Sequence, residues 1–238
     1  DAGADAAKLF PNAEVVVSGN PNLAKRPRFE GAEIRRRLGV KPNELLILVP
    51  GGKDRTVNRL HFEAVIRGAE ALRRPALVLI SLHSKDENPI DSYTPLTWSA
   101  DPVDSTRVRI AKKDSILPDN LGSDDYVPGA DIVAPSASTL GDTAARQLIP
   151  VLNVFSQDAL VRLAKQTGSD RWPPVEKGYE YELLPAPGGI IPAADVIAGA
   201  MRHLLRGTID LRPAQRTMPR PAGDPVATIA KELLALAG

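Results

Sequence analysis

The sequence predicts an α/β protein built on a single doubly wound parallel sheet, Rossmann-like, with a carboxyl-terminal crossover helix. Short apolar runs alternate with amphipathic ones from end to end, as βαβ units around a parallel sheet require. Some of these runs, such as ALVLISLH at 76–83, are almost continuously apolar, which suits strands covered on both faces. Glycine or small polar residues follow several of them, where strands would turn into helices.

Taken in order, EVVVSG (14–19) is the first strand candidate and EGAEIRRRLGV (30–40) the first helix, stopped by Gly39. ELLILVPGG (44–52) is a buried strand ending in two glycines. The helix expected over 58–74 places Leu60, Val65, Ala69 and Leu72 near one face. After the strand at 76–83, residues 84–106 hold Pro89, Pro95 and Pro102 without periodicity and read as a long connection or insertion. RVRIA, ADIVAP and PVLNV give three more strands, with a helix over about 140–147 between the last two. SQDALVRLAKQTG and PAADVIAGAMRHLLRG are further helices, the second with Pro192 at its start and Gly207 at its end. The stretch SDRWPPVEKGYEYEL (169–183) reads equally as lid, interface or packed turn.

The resulting division is a Rossmann-like α/β domain over 1–207, a Pro/Arg-rich extended linker over 208–223, and a helix over 224–238 with Asp224 at its cap and Pro225 in its first position. The chain begins at Asp1 rather than Met and reads like a piece of something longer.

Composition narrows the function. The 238 residues are 43% hydrophobic and 25% charged, ordinary for a soluble globular protein. Thirty basic against 29 acidic residues leave +1, so no global field draws the chain to nucleic acid or an anionic membrane, and any phosphate site must be local. Aromatic content of 4% argues against a stacking platform for single strands. There is no cysteine, hence no disulfide or thiolate metal site. No membrane span or signal peptide is visible, and the expectation is a cytoplasmic protein.

In an open parallel sheet, ligands bind beyond the carboxyl ends of the strands. Three polar or glycine-rich stretches should reach that edge. SGNP (18–21) is followed by Lys25, Arg26 and Arg28, which are either solvated charge or partners for a diphosphate. PGGKD (50–54) fits neither the Walker A nor the G-x-G-x-x-G spacing. Gly51 and Gly52 make either a tight turn or a backbone nest for a phosphate beside Lys53. In PSASTLGDTAARQLIPVLNV (135–154), Ser136, Ser138 and Thr139 can cap a helix whose amino terminus also suits an anion such as pyrophosphate. Asp142, one turn inside, either complements the helix dipole or accepts ribose hydroxyls.

These stretches, in this order and spacing, resemble the carboxyl-terminal half of GT-B glycosyltransferases. The nearest group is that of the peptidoglycan UDP-N-acetylglucosamine transferase, the lipid A disaccharide synthase and the galactolipid synthases. Their pattern runs roughly V-T-G-N-P, GGS.G and ADLVVSRSGASTLAELAALGLPAILIP, and the likeness covers about 15–154. It implies a cell-envelope transferase with a UDP-sugar donor site: diphosphate on the turn from Ser136 through Ala137 and Ser138 to Thr139, ribose on Asp142, and base against backbone near 110–113, Ile110 included. Sugar hydroxyls would meet Ser156, Gln157 or Asp158, with Gln157 foremost. Departures from the pattern at the candidate site residues include Asp142 for Glu, Ala137 for Gly, and Lys53 for the loop serine. The resemblance also implies no cofactor, no obligatory protein-held metal, and an acceptor domain that this chain lacks. That domain would be missing sequence or a partner subunit, and any route to a membrane surface would run through it. Transfer is expected to be inverting, and the chain alone inactive.

Two other readings stand beside this one. A UDP-N-acetylglucosamine 2-epimerase-like fragment shares the fold but does not carry SGNP. A non-catalytic domain could retain the fold for protein contacts. Among other chemical groups, His61 and His203 are expected to be surface or packing residues, and His83, ending a strand, is the histidine nearest the candidate edge. Asp124 and Asp125 read as capping residues of a short helix rather than a metal motif. No hydrolase G-x-S-x-G surrounds the serines.

Overall fold

The structure is a computed structural model, and it describes residues 27–53, 55–83, 93, 106–111, 121–136, 138–167, 178–218, 227, 229–232 and 234. The chain divides into two compact units, 27–218 and 1–26 with 219–238. Within the second of these, 227, 229–232 and 234 are helical, with Ile229 and Leu234 exposed. The expected first strand, the SGNP loop, the stretch at 169–177, Asp224 and Pro225 lie outside the described residues.

Unit 27–218 carries the α/β architecture that the apolar runs predict. Helix α1 (Gly31–Leu38) buries Ile34 and Leu38 and ends at Gly39, whose φ of 62° is the left-handed conformation that glycine adopts without a Cβ penalty. Strand β1 (Leu45–Pro50) is buried at every position, as is β2 (Ala76–Ser81), and α2 (Arg55–Glu70) links them. That helix starts three residues before the expected range and stops four residues short of it; Val65, Ala69 and Leu72 are buried while Leu60 is half-buried.

Strand β3 (Thr106–Ala111), the four-residue helix α3 (Ser123–Tyr126), β4 (Ile132–Val133), α4 (Thr139–Arg146) and β5 (Leu152–Val154) follow. Helix α5 (Gln157–Thr167), β6 (Tyr181–Leu183), α6 (Ala194–Arg206) and α7 (Arg212–Arg216) come next among the described residues.

Among the described residues all pairings are parallel, in the order β3, β2, β1, β4 for one sheet and β5, β6 for the other. A parallel bridge between Val133 and Val151 carries the order on from β4 toward β5. The order therefore reverses between β1 and β4, which is the topological switch point of a doubly wound sheet. Alternate strand residues separate two cores. Ile47, Val49, Val78 and Ile80 pack with α2 and α6, while Leu46, Leu48, Leu77 and Leu79 pack with α1 and α4.

The stretch that begins the expected extended linker instead folds onto this unit. Helix α7 lies within it, Gln215 is 3% exposed, and its Nε2 donates to Ile149 O (3.1 Å) and Tyr179 O (3.2 Å). A Pro/Arg-rich composition reports local preference; these two bonds span 66 and 36 residues and leave no local trace.

Candidate functional site

A cavity of about 320 Å3 opens at the carboxyl edge of the sheet, over the switch point. Its wall is made by Pro50 and Gly51 after β1, Leu82 and His83 after β2, Gly122, Ser123 and Asp124 at the start of α3, and Ser138, Thr139 and Leu140 at the start of α4. The volume lies within the range of small-molecule clefts, roughly 300–1,000 Å3.

The α4 turn is built as its sequence predicts. Ser138 is in extended conformation at the cap and its Oγ accepts from Leu140 N (3.3 Å). Thr139 is exposed and lines the cavity. The first turn of an α-helix leaves amides without intrahelical partners and a positive dipole end, so this eight-residue helix presents an anion-favouring terminus to the cavity. Ser136 Oγ is buried and has no hydrogen-bond partner among the described residues. Ala137 lies outside them.

The two glycines after β1 have bonded amides and do not form a bare nest. Gly51 N donates to Ser81 O (2.8 Å), and Gly52 N donates to Asn58 Oδ1 (2.7 Å) while Asn58 Nδ2 returns a bond to Gly52 O (2.9 Å). Both amides that the phosphate reading needed are thus occupied, Gly51 N by Ser81 O and Gly52 N by Asn58, which is 2% exposed. Gly51 remains useful because it is small: a Cβ there would stand 3.1 Å from Phe62 Cζ. Lys53 is exposed and does not line the cavity.

Other sequence candidates separate from the cavity wall. Ile110 is 8% exposed, pairs with Ile80 in the sheet and belongs to the core. Ser156 is fully buried and its Oγ accepts from Ala159 N (3.2 Å), so it caps α5. Gln157 and Asp158 are exposed in the first turn of that helix, Gln157 N donating to Ile190 O (2.8 Å). Arg28 is committed to Asp125 through two bonds of 3.0 and 2.7 Å; Lys25 and Arg26 lie outside the described residues. Asp142 is half-buried, and its Oδ1 accepts from Tyr179 Oη at 2.7 Å.

Two histidine readings are refined. His83 does line the cavity. His61 is a packing residue, 2% exposed beside Phe62, and burial lowers its pKa to about 4 against the opposing pull of a hydrogen bond with the backbone of Ala134.

The contribution of α3 was not legible in the sequence. Asp125 caps the helix as expected, accepting from Gly122 N at 2.9 Å. The same turn brings Gly122, Ser123 and Asp124 to the cavity, with Ser123 Oγ 2.7 Å from Ser81 Oγ at the end of β2. Burial pushes the Asp125 carboxyl up, but the Arg28 hydrogen bond, the Gly122 amide and the Arg28 charge together hold it below the usual range. Among the described residues, no group of three or more His, Cys, Asp or Glu is placed to hold a metal ion, and no helix is long and apolar enough to cross a membrane.

Comparison with protein-family models gives no match, and comparison with curated proteins gives none. Solved structures do match. A protein assigned as a UDP-N-acetylglucosamine 2-epimerase from Listeria monocytogenes superposes with a TM-score of 0.53 at 13% identity, over 93% of this chain and 53% of that one. The Anabaena protein HepE, solved in complex with UDP-glucose, gives 0.51 at 15% identity, over 91% and 56%. The ADP-heptose lipopolysaccharide heptosyltransferase II of E. coli gives 0.50 at 12%, over 77% and 54%. The chain spans about half the length of these structures. With its parallel sheet flanked by helices, it has the α/β Rossmann-like fold of the GT-B glycosyltransferases and epimerases.

Proposed function

We propose that this chain is the donor-binding half of a GT-B glycosyltransferase that uses a UDP-sugar and needs an acceptor domain for transfer. The observation that carries the reading is the cavity at the switch point, which joins the ends of β1 and β2 to the amino terminus of α4. The diphosphate would lie against the turn from Ser136 to Thr139. There the buried Ser136 hydroxyl, without a partner among the described residues, and the first helical turn supply donors. Asp142 would take the ribose, and Gln157 would lie toward the sugar. That HepE shares the fold and was solved with UDP-glucose supports the choice of donor class.

In transfer, negative charge grows on the leaving nucleotide diphosphate. Helix amides and the dipole end stabilise that charge without reorganising, while a base from the other half deprotonates the acceptor. The chain alone is therefore expected to bind and not to transfer.

The test is calorimetric titration of the full chain with UDP, GDP and ADP. Saturable UDP binding, weakened by Asp142→Ala, is the expected result; failure of all three nucleotides to bind would sink the reading. A second reading, a UDP-N-acetylglucosamine 2-epimerase-like fragment, is favoured by the Listeria likeness, and epimerisation by the chain alone would select it.

A further inference from the structure

Two adjacent residues of α4 depart from the STLAE pattern of the resemblance, Gly141 for Ala and Asp142 for Glu, and both meet the same segment of chain. Asp142 Oδ1 accepts from Tyr179 Oη at 2.7 Å. Next to it, a Cβ on residue 141 would stand 2.6 Å from Glu180 Oε1 and 3.3 Å from its Cδ. Glu180 is 6% exposed and bound by Asn153 Nδ2, so its carboxylate cannot swing away freely. Glycine at 141 is what lets residues 179 and 180 lie against the helix.

Their backbone is itself fixed. Gln215 Nε2 donates to Tyr179 O, and Tyr181 N donates to Val151 O at 2.9 Å. The phenol is therefore delivered to Asp142 from a pinned strand end.

From this geometry we infer that Tyr179 is a positioning residue of the nucleotide site, holding the short Asp142 carboxylate in the orientation that receives the ribose hydroxyls; the inference rests on the donor-half reading. Aspartate is one C–C bond, about 1.5 Å, shorter than glutamate. A shorter side chain reaches a given ligand atom from fewer rotamers, so its orientation matters more. A carboxylate has two oxygens and about four lone-pair sites, so it can accept the phenol on Oδ1 together with other hydrogen bonds, and the phenol helps to set its orientation.

The experiment compares UDP with 2′-deoxy-UDP on the full chain, on Tyr179→Phe, on Asp142→Asn and on the double variant, with thermal unfolding of each. The unaltered chain is expected to prefer UDP, and Tyr179→Phe to weaken UDP about tenfold while bringing the preference close to one. In the Asp142→Asn background, the Phe substitution should have little further effect, because Tyr179 acts through that carboxylate.

A Phe variant that weakens UDP and 2′-deoxy-UDP equally, or that fails to fold, makes Tyr179 structural and overturns the inference. UDP binding that depends on Asp142 but not on Tyr179 overturns it and leaves the donor-half reading standing. Absence of UDP binding by the unaltered chain removes that reading, and the inference with it.

Discussion

The two edges of the sheet in unit 27–218 treat their polar groups differently. At the amino edge, charges are consumed by structure. Asp131, just before β4, accepts from Arg35 Nη1 (2.8 Å) and from Leu46 N (2.8 Å), while Arg35 Nη2 donates to Glu44 O (2.6 Å). Glu44, 3% exposed before β1, takes two bonds from Arg107 (2.7 and 2.6 Å) and one from Lys41 N (2.9 Å). At the carboxyl edge stand small residues, a cavity, a helix amino terminus and a buried serine hydroxyl with no partner among the described residues. Parallel strands end all their carboxyl termini together, so one edge can be closed for stability while the other is left for a ligand. Substitutions should then separate: amino-edge changes alter stability and leave nucleotide binding alone, and carboxyl-edge changes do the reverse.

The largest expected effect is at the amino edge. Glu44→Ala removes three hydrogen bonds and leaves Arg107 without its carboxylate. Removing one partner of a buried pair costs about 3–5 kcal/mol, and the low end applies because the Arg107 side chain is 37% exposed and can turn to water. Denaturant unfolding should show a loss of about 3 kcal/mol while UDP affinity stays within about twofold. A parallel loss of affinity would break the division between the edges.

Acid should strike the other side of the sheet first. Burial pushes the Glu44 carboxyl up, but Arg107, the Lys41 amide and their charges outweigh it and hold the pKa below the ordinary value. The stability linked to Glu44 is thus present above the ordinary carboxylate range and is lost only as pH falls through the lowered value. His61, facing Ala134 after β4, has a folded pKa of about 4 against 6.5 in the unfolded chain. The unfolded state binds more protons between those values, so stability is full above about pH 6.5 and falls as pH drops toward 4. The loss is about 3 kcal/mol at 1.36 kcal/mol per pKa unit. His61→Leu should flatten that part of the stability–pH curve, with the remaining loss appearing at lower pH. An unchanged slope between pH 6.5 and 4 would assign it to other groups.

What the sequence made legible follows the same division of local and distant causes. Strand periodicity, the stops at Gly39 and Gly207 and the Ser138 cap are local, and the structure has them. The fate of Gly52 was not legible, because turn and nest share a sequence; Asn58, six residues on, decides between them. Nor was the pairing of Arg28 with Asp125, 97 residues apart, or the approach of Tyr179 and Glu180 to α4. Asp124 and Asp125 were readable as a cap, but the topology alone brings α3 beside α4 to share a cavity. Composition and spacing describe each element, and the sheet order determines which elements meet.

The next effect in size tests the carboxyl edge with opposite signs for its two properties. In Thr139→Glu, an acid enters the first position of α4, where it complements the dipole and should stabilise by about 0.3–1 kcal/mol. The same charge faces a cavity proposed to hold a diphosphate and should weaken UDP at least tenfold. A higher melting temperature together with weaker binding is the expected pair; unaltered UDP affinity would move the diphosphate away from this turn.

The smallest effect comes from an acid already present in the cavity wall. Asp124 lines the space beside Ser123 and opposite the α4 turn, where its charge opposes an anionic ligand. The cavity is open to water, so the effective dielectric is high and the repulsion amounts to about 0.5 kcal/mol rather than several. Asp124→Asn should therefore tighten UDP about two- to threefold at low salt, and the gain should shrink at 0.5 M salt as the Debye length falls to about 4 Å. Weaker UDP binding in this variant would instead give Asp124 a direct role, accepting a hydrogen bond from the nucleotide or sugar. The carboxyl edge would then spend that charge on its ligand, as the amino edge spends its charges on its own ion pairs.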